Sequence, residues 1–195
     1  DIKISLTLMP LAARTPGLFD LSSLRPIYDY FIGMSYEYYG VNADISGPTA
    51  PMQGFAQKKY FYDVTSTYTD FLQVIPRDKL VMGVPYYGWE RAVKDGKTPG
   101  SRTFPASSPN NYAGIVSFAR GKENTDFTKS QCSWEPIAGE TWCWYKDKTT
   151  GIDRQLWLAD TKSIGTRYDY AIKKQFAGVA LWTLGYDKAY PDLWD

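Results

Sequence analysis

Gly178-Val-Ala-Leu-Trp-Thr-Leu-Gly-Tyr-Asp187 places five apolar residues between a helix-like segment and a glycine. A short apolar run of this kind predicts a strand that is buried on both faces, as strands of parallel sheets are. Trp182 stands near the carboxyl end of this strand. An indole in that position either fills a core or offers a flat apolar surface to a ring-shaped ligand.

Two earlier segments also run from apolar residues into Tyr or Glu. They are Phe31-Ile-Gly-Met-Ser-Tyr-Glu37 and Lys79-Leu-Val-Met-Gly-Val-Pro-Tyr-Tyr-Gly88. If the three segments are parallel neighbours, the side chains at their carboxyl ends meet at one rim, which is where parallel sheets bind ligands. The sequence therefore predicts a ligand site at that rim.

The composition favours a neutral ligand. The 195 residues carry a net charge of +1, which argues against nucleic acid or an anionic membrane as the main partner. Aromatic residues make up 16%, which suits a surface that stacks against sugars, although an aromatic-rich core is the alternative.

There is no histidine, so acid–base chemistry falls to carboxylates, Tyr or Lys, and no metal or cofactor site is expected. No apolar run approaches the roughly 20 residues that span a bilayer.

Strand-like and helix-like segments alternate along most of the chain. Strands are predicted at about 4–8, 30–36, 80–86 and 179–182, and helices within 20–28, 60–74, 112–120 and 160–175. This order predicts right-handed parallel crossovers and an α/β class. Residues 1–88 and 154–195 are predicted to form the main unit, and residues 89–153 an α+β insertion that contains an antiparallel hairpin.

The predicted hairpin brings the two cysteines together. Cys132 and Cys143 flank the sequence Pro136-Ile-Ala-Gly139, and a turn at its centre places them directly opposite each other. Directly opposed cysteines lie close enough to form a disulfide. Such a bond is stable only outside the reducing cytosol, so we expect an extracellular protein, with two free buried thiols as the alternative.

The strand ends and the insertion together resemble the chitinase family, glycoside hydrolase family 18. Met34-Ser-Tyr-Glu37 is similar to its M-x-Y-[D/N/E] strand, and the segment from Lys79 to Gly88 to its K-x-x-x-G-x-P-x-Y-G strand. The stretch around Trp182 is similar to its last strand, G-x-x-x-W-x-x-x-x-D. The resemblance implies a (β/α)8 TIM barrel, of which this chain supplies the last four βα units.

The family's catalytic motif, D-x-x-D-x-D-x-E, does not occur in the sequence. By this alignment its general-acid glutamate lies just before Asp1, so the chain is expected to be the carboxyl-terminal half of the barrel and inactive alone. Four parallel strands leave two open edges, which a soluble protein rarely tolerates. The expected partner is the amino-terminal half, from the same polypeptide or a nicked fragment, or another copy of this chain.

The resemblance also implies roles for individual residues. Tyr36 matches the catalytic tyrosine that hydrogen-bonds the acetamido group of the substrate, and a strand-end core tyrosine is the alternative. Glu37, the second catalytic position, stands where many members have Asp or Asn, and its extra methylene changes its reach. Trp182 matches the surface on which the reacting sugar stacks.

Three further substrate-binding residues are expected: Met34, Tyr87 and Tyr39. A packing role is the alternative for Met34 and Tyr39. The residue after the matched K-x-x-x-G-x-P-x-Y-G segment is often Arg in the family but is Trp89 here. Outer subsites are assigned on position alone, with packing as likely, to Tyr38, Trp134, Trp142 and Trp144.

The predicted function is that of a chitinase-type glycoside hydrolase. It would cleave β-1,4-linked N-acetylglucosamine glycans by a substrate-assisted, retaining mechanism, with the general acid outside this chain. One alternative is a non-catalytic glycan-binding relative. Another is a peptidoglycan-directed hydrolase, which is suggested only by Glu37 and the Gly47-Pro48 loop.

Overall fold

Four parallel strands form the first sheet. The computed structural model describes residues 2–193. The strands lie in the order β1-β2-β3-β9, and every pair of neighbours is parallel, as predicted. Their bounds are β1 Ser5–Leu8, β2 Tyr30–Gly33, β3 Leu80–Pro85 and β9 Gly178–Trp182.

Strand β2 ends earlier than the predicted residue 36. The chain turns directly after Gly33, where the Ser35 N–H donates to the Gly33 carbonyl at 2.9 Å and the Tyr36 N–H donates to the Met34 carbonyl at 2.9 Å. Glu37 then has a φ of 64°, a left-handed conformation that cannot continue a strand. Tyr36 and Glu37 therefore stand in a turn above the sheet edge.

Each α-helix among residues 2–193 begins after a residue whose side chain accepts a backbone N–H. The caps are Asp20 for α1 Leu21–Leu24, Asp63 for α2 Val64–Phe71, Ser117 for α3 Phe118–Glu123 and Asp160 for α4 Thr161–Lys174. The last helix matches its prediction, and its C-cap is Gln175 in the left-handed conformation. Helix α2 is shorter than the predicted 60–74 because Asp63, and not a residue near 60, caps it.

The second sheet is antiparallel and has five strands in the order β5-β4-β8-β7-β6. Their bounds are β4 Tyr87–Val93, β5 Ala113–Ser117, β6 Cys132–Glu135, β7 Glu140–Lys146 and β8 Asp153–Leu158. This sheet reaches beyond the predicted insertion of residues 89–153 at both ends. Residues 113–117 form a strand and not the helix that the sequence predicts, because all five of them pair with the Tyr87–Arg91 part of β4.

The predicted hairpin and its disulfide are present. Cys132 pairs with Cys143 across β6 and β7, and the two sulfurs are bonded. The turn between the strands occupies residues 136–139 and ends at Gly139, whose φ is 62°. A disulfide that closes so short a loop contributes about 2–3 kcal/mol.

The core lies on the helix-covered face of the parallel sheet. Phe31, Leu80 and Met82 point to that face and are fully buried together with Tyr68 and Phe71 of α2. Strand register and alternation place a second set of side chains on the opposite face, namely Thr7, Ile32, Ala180 and Trp182. Thr7 and Trp182 are exposed there, and Ile32 and Ala180 are half-buried.

Strand β9 is not buried on both faces, contrary to the prediction from its sequence. Val179 is 39% exposed and Trp182 is 56% exposed. The reason is position: within residues 2–193, β1 and β9 are the edge strands of the parallel sheet and each has a neighbour on one side only. Periodicity alone does not distinguish an edge strand from a central one.

No helix among residues 2–193 combines the length and the apolar character needed to cross a bilayer.

Candidate active site at the carboxyl edge of the parallel sheet

The three strand-end segments meet at one edge of the parallel sheet. Pro85 at the end of β3 pairs with Trp182 at the end of β9, and the Tyr86 N–H donates to the Trp182 carbonyl at 2.8 Å. The ring of Tyr36, which follows β2, packs edge-on against the ring of Tyr87 with centroids 6.3 Å apart. Trp182 projects from this edge with 56% of its surface exposed.

Tyr36 is half-buried and lies over β3. A methyl group at Gly83 would come within 3.1 Å of the Tyr36 ring and 2.4 Å of the Gly33 carbonyl oxygen, so glycine at position 83 permits this close approach. Burial, and secondly the charge of Glu37, raise the pKa of Tyr36. The hydroxyl therefore stays protonated at neutral pH and can donate a hydrogen bond.

Glu37 is exposed, but its carboxylate folds back toward the protein. Its Oε1 atom accepts hydrogen bonds from the Tyr87 hydroxyl and, at 3.1 Å, from Trp89 Nε1. A methyl group at Gly40 would lie 2.5 Å from Glu37 Oε2, so the carboxylate covers this glycine.

Tyr87 is only 3% exposed and packs beneath Tyr36 at the sheet edge. Its ring packs edge-on against Tyr36 and, at 6.2 Å, against Tyr186. Burial and the hydrogen bond to Glu37 raise the pKa of the Tyr87 hydroxyl well above its ordinary value. Direct contact of Tyr87 with a substrate stays a prediction.

Met34 and Tyr39, the other predicted substrate-binding residues, are held differently. Met34 is half-buried, and its N–H donates to the Leu8 carbonyl at 2.8 Å, which extends the link between β2 and β1. Tyr39 is 8% exposed, and its hydroxyl accepts the Phe61 N–H at 3.1 Å. Its ring packs directly against Gly47, so the observed contacts of Tyr39 are packing contacts, and its substrate role stays a prediction.

The aromatic residues proposed for outer subsites are mostly covered. Tyr38 is 6% exposed and Trp142 is 8% exposed. Trp134 is half-buried, with the Lys162 ammonium 3.9 Å from its ring centroid, and Trp144 is half-buried, with the Lys97 ammonium at 5.4 Å.

Two residues at the edge were missed as site residues. Trp89 binds Glu37, and Arg91 donates through Nη1 to the Val41 carbonyl at 3.0 Å and through Nη2 to the Gly40 carbonyl. The signal was the alternation in Tyr87-Gly-Trp-Glu-Arg91, which puts every second side chain of β4 on one face. Within residues 2–193, no group of three or more acidic, Cys or His side chains could hold a metal ion.

Comparisons with known proteins identify the family of this chain and its fold. The family model for glycosyl hydrolases family 18 matches residues 2–187. A "Probable endochitinase" of Caenorhabditis elegans is 22% identical over 87% of this chain and 28% of its own length.

Two solved structures share the fold. The chitinase-like agglutinin from Robinia pseudoacacia has a TM-score of 0.77 at 16% identity, covering 98% of this chain and 53% of the agglutinin. A chitinase from Cycas revoluta in complex with (GlcNAc)3 has a TM-score of 0.73 at 16% identity, covering 95% of this chain and 52% of the chitinase. The chain thus spans about half the length of these solved proteins.

Proposed function

Because this chain belongs to the glycosyl hydrolases family 18, we propose that it provides the carboxyl-terminal half of the barrel of a chitinase-type glycoside hydrolase. The substrate is a β-1,4-linked N-acetylglucosamine polymer. The observation that carries the proposal is the exposed Trp182 at the same sheet edge as the half-buried Tyr36. A flat indole and a protonated hydroxyl suit a sugar that carries an acetamido group.

In the proposed reaction, the acetamido oxygen of the substrate attacks its own anomeric carbon while an acid protonates the leaving oxygen. Tyr36 donates a hydrogen bond to the acetamido group, which orients it and stabilises the charge that develops. Trp182 stacks against the reacting sugar. Water then displaces the acetamido oxygen from the anomeric carbon and opens the oxazolinium ring, so two displacements leave the configuration of that carbon retained.

The general acid of this reaction lies outside residues 1–195, and so do the first four strands of the barrel. The uncovered sheet face, the two edge strands β1 and β9, and the coverage of about half of the solved relatives support a partner that completes the barrel. We propose the amino-terminal half as that partner. This chain alone is then inactive.

The Cys132–Cys143 disulfide supports an extracellular location, because such bonds persist in oxidising compartments.

Both candidate functions, hydrolysis and glycan binding, involve a glycan that is rich in N-acetylglucosamine. A glycan-binding relative without hydrolytic activity is the second candidate, and it shares the exposed Trp182.

Tyr36→Phe tests the proposed reaction in the intact protein. We expect kcat on a soluble N-acetylglucosamine oligomer to fall by about 10²–10³-fold, the usual cost of one missing donor to developing charge, while oligomer binding is retained. Proton NMR of the first product should show the β-anomer. Tyr28→Phe is the control, because Tyr28 is also half-buried but precedes β2 at the opposite end of the sheet.

Unchanged turnover in Tyr36→Phe would remove the proposed role of this hydroxyl. A wild-type protein that binds the oligomer without releasing reducing ends would instead establish the glycan-binding candidate. Release of reducing ends from peptidoglycan and not from chitin would redirect the proposal to the other polymer.

A further inference from the structure

Alternate side chains of β4 all contact the turn that follows Tyr36. Tyr87 and Trp89 donate to the Glu37 carboxylate, and Arg91 donates to the carbonyls of Gly40 and Val41. Strand geometry puts these three residues of β4 on one face. One face of β4 therefore contacts the turn after β2 at two places, the side chain of Glu37 and the backbone of Gly40 and Val41.

Arg91 binds the end of the turn, at the carbonyls of Gly40 and Val41. It is 2% exposed, and its guanidinium carbon lies 5.2 Å from the ring centroid of Trp89. Burial lowers the pKa of Arg91, and the nearby charge of Glu37 opposes that change. The charge of Glu37 therefore favours the charged form of Arg91, and the indole of Trp89 lies beside both groups.

Glu37 connects the beginning of the same turn to β4. Both donors converge on Oε1, and the carboxylate lies against Gly40. The backbone at Glu37 has a φ of 64°, so the turn has an uncommon conformation that these contacts maintain. Tyr36 precedes this residue, and its ring packs against Tyr87, whose hydroxyl is fixed by the same carboxylate.

We propose that Glu37 is a positioning residue that acts with Trp89: its carboxylate fixes the turn and the Tyr87 ring that together set the orientation of Tyr36. Glu37 does not transfer a proton in the reaction and does not contact the sugar. The inference rests on the proposed function for the role of Tyr36, and it replaces a direct catalytic role for Glu37. Position 89 is part of the mechanism because its indole N–H supplies the second donor.

The matched variants of the intact protein are Glu37→Gln, Glu37→Ala and Trp89→Phe. The amide oxygen of Gln still accepts both hydrogen bonds, so we expect Glu37→Gln to keep kcat within about threefold of the wild type. Glu37→Ala should lower kcat by about 30-fold or more with a smaller change in KM, because Tyr36 loses its orientation. Trp89→Phe should lower kcat by about 5–10-fold.

The double variant separates a shared role from independent roles. Two residues that act through one contact give non-additive effects, so Glu37→Ala combined with Trp89→Phe should be no slower than Glu37→Ala alone. Trp157→Phe is the control for the loss of an indole N–H hydrogen bond, because the Trp157 indole donates to the Ser46 carbonyl at 3.1 Å and not to Glu37. A Glu37→Gln variant as slow as Glu37→Ala, or effects that multiply in the double variant, would overturn the proposal.

A second readout needs no substrate. The Trp89 indole N–H signal in a nitrogen-15 correlation spectrum should move upfield in Glu37→Ala and exchange with solvent about tenfold or more faster. An unmoved signal overturns the proposal whatever the activity. If the signal moves in a protein that hydrolyses no N-acetylglucosamine polymer, the contact stands, and the proposed function and the catalytic part of the inference both fail.

Discussion

Tyr36 and Trp182 share a sheet edge but differ in how they are held. Tyr36 lies over Gly83 and against Tyr87, so its hydroxyl has a defined direction. Trp182 ends an edge strand and is 56% exposed. A rigid donor and an accessible apolar surface suit different parts of one sugar, the donor its acetamido group and the surface its ring.

Trp182→Ala should weaken binding more than it slows the chemical step. Covering the indole with a sugar is worth about 1–3 kcal/mol of buried apolar surface, which corresponds to a roughly 5–150-fold rise in the Kd of an N-acetylglucosamine oligomer. Isothermal titration calorimetry measures this value. Phe61→Ala is the control, because Phe61 is also 56% exposed but lies in the loop after β2. Equal losses in both variants would contradict a specific platform at Trp182.

At the scale of elements, a buried ion pair joins three parts of the chain. Glu140 of β7 accepts the N–H groups of Thr49 and Ala50 at 3.0 and 2.6 Å and binds Arg167 of α4 at 2.7 Å. Arg167 donates in turn to the Gly139 and Ser163 carbonyls at 2.8 and 2.6 Å. The pair therefore connects the antiparallel sheet, the last helix and the loop after β2.

Arg167→Met should destabilise the fold by about 3–5 kcal/mol, because it leaves the Glu140 carboxylate buried without its counter-ion. Urea unfolding measures the change in the free energy of unfolding. Glu123→Gln is the matched control: it removes one charge of the exposed ion pair with Lys188, and exposed pairs of this kind contribute little to stability. A loss below about 1 kcal/mol in Arg167→Met would mean that the loop and the sheet are held by other contacts.

At the scale of the molecule, the parallel sheet presents an uncovered face and two free edges. Thr7 and Trp182 on that face are exposed, and β1 and β9 have no further neighbour among residues 2–193. Unpaired strand edges promote association between chains. A second set of strands would cover both the edges and the face.

Residues 1–195 expressed alone should therefore associate and bind the dye ANS, whereas the same residues joined to an amino-terminal half should not. Light scattering over a range of protein concentrations and ANS fluorescence measure the two properties. The expected physical reason is the burial of apolar surface when the sheet closes. A monomeric chain that binds no ANS would contradict the need for a second half.

The sequence by itself determined the four parallel strands, the edge at which Tyr36, Tyr87 and Trp182 lie, the helix α4 and the Cys132–Cys143 hairpin. These features depend on periodicity, capping and strand register, which act over short stretches of chain.

Only the tertiary structure decided the exposure of β9, the strand at residues 113–117 and the direction of the Glu37 carboxylate. Each depends on partners far along the chain: an edge position in the sheet, pairing with β4, and donors at positions 87 and 89. Local pattern does not encode such contacts, because the free energy that favours them arises only when the distant segments pack together.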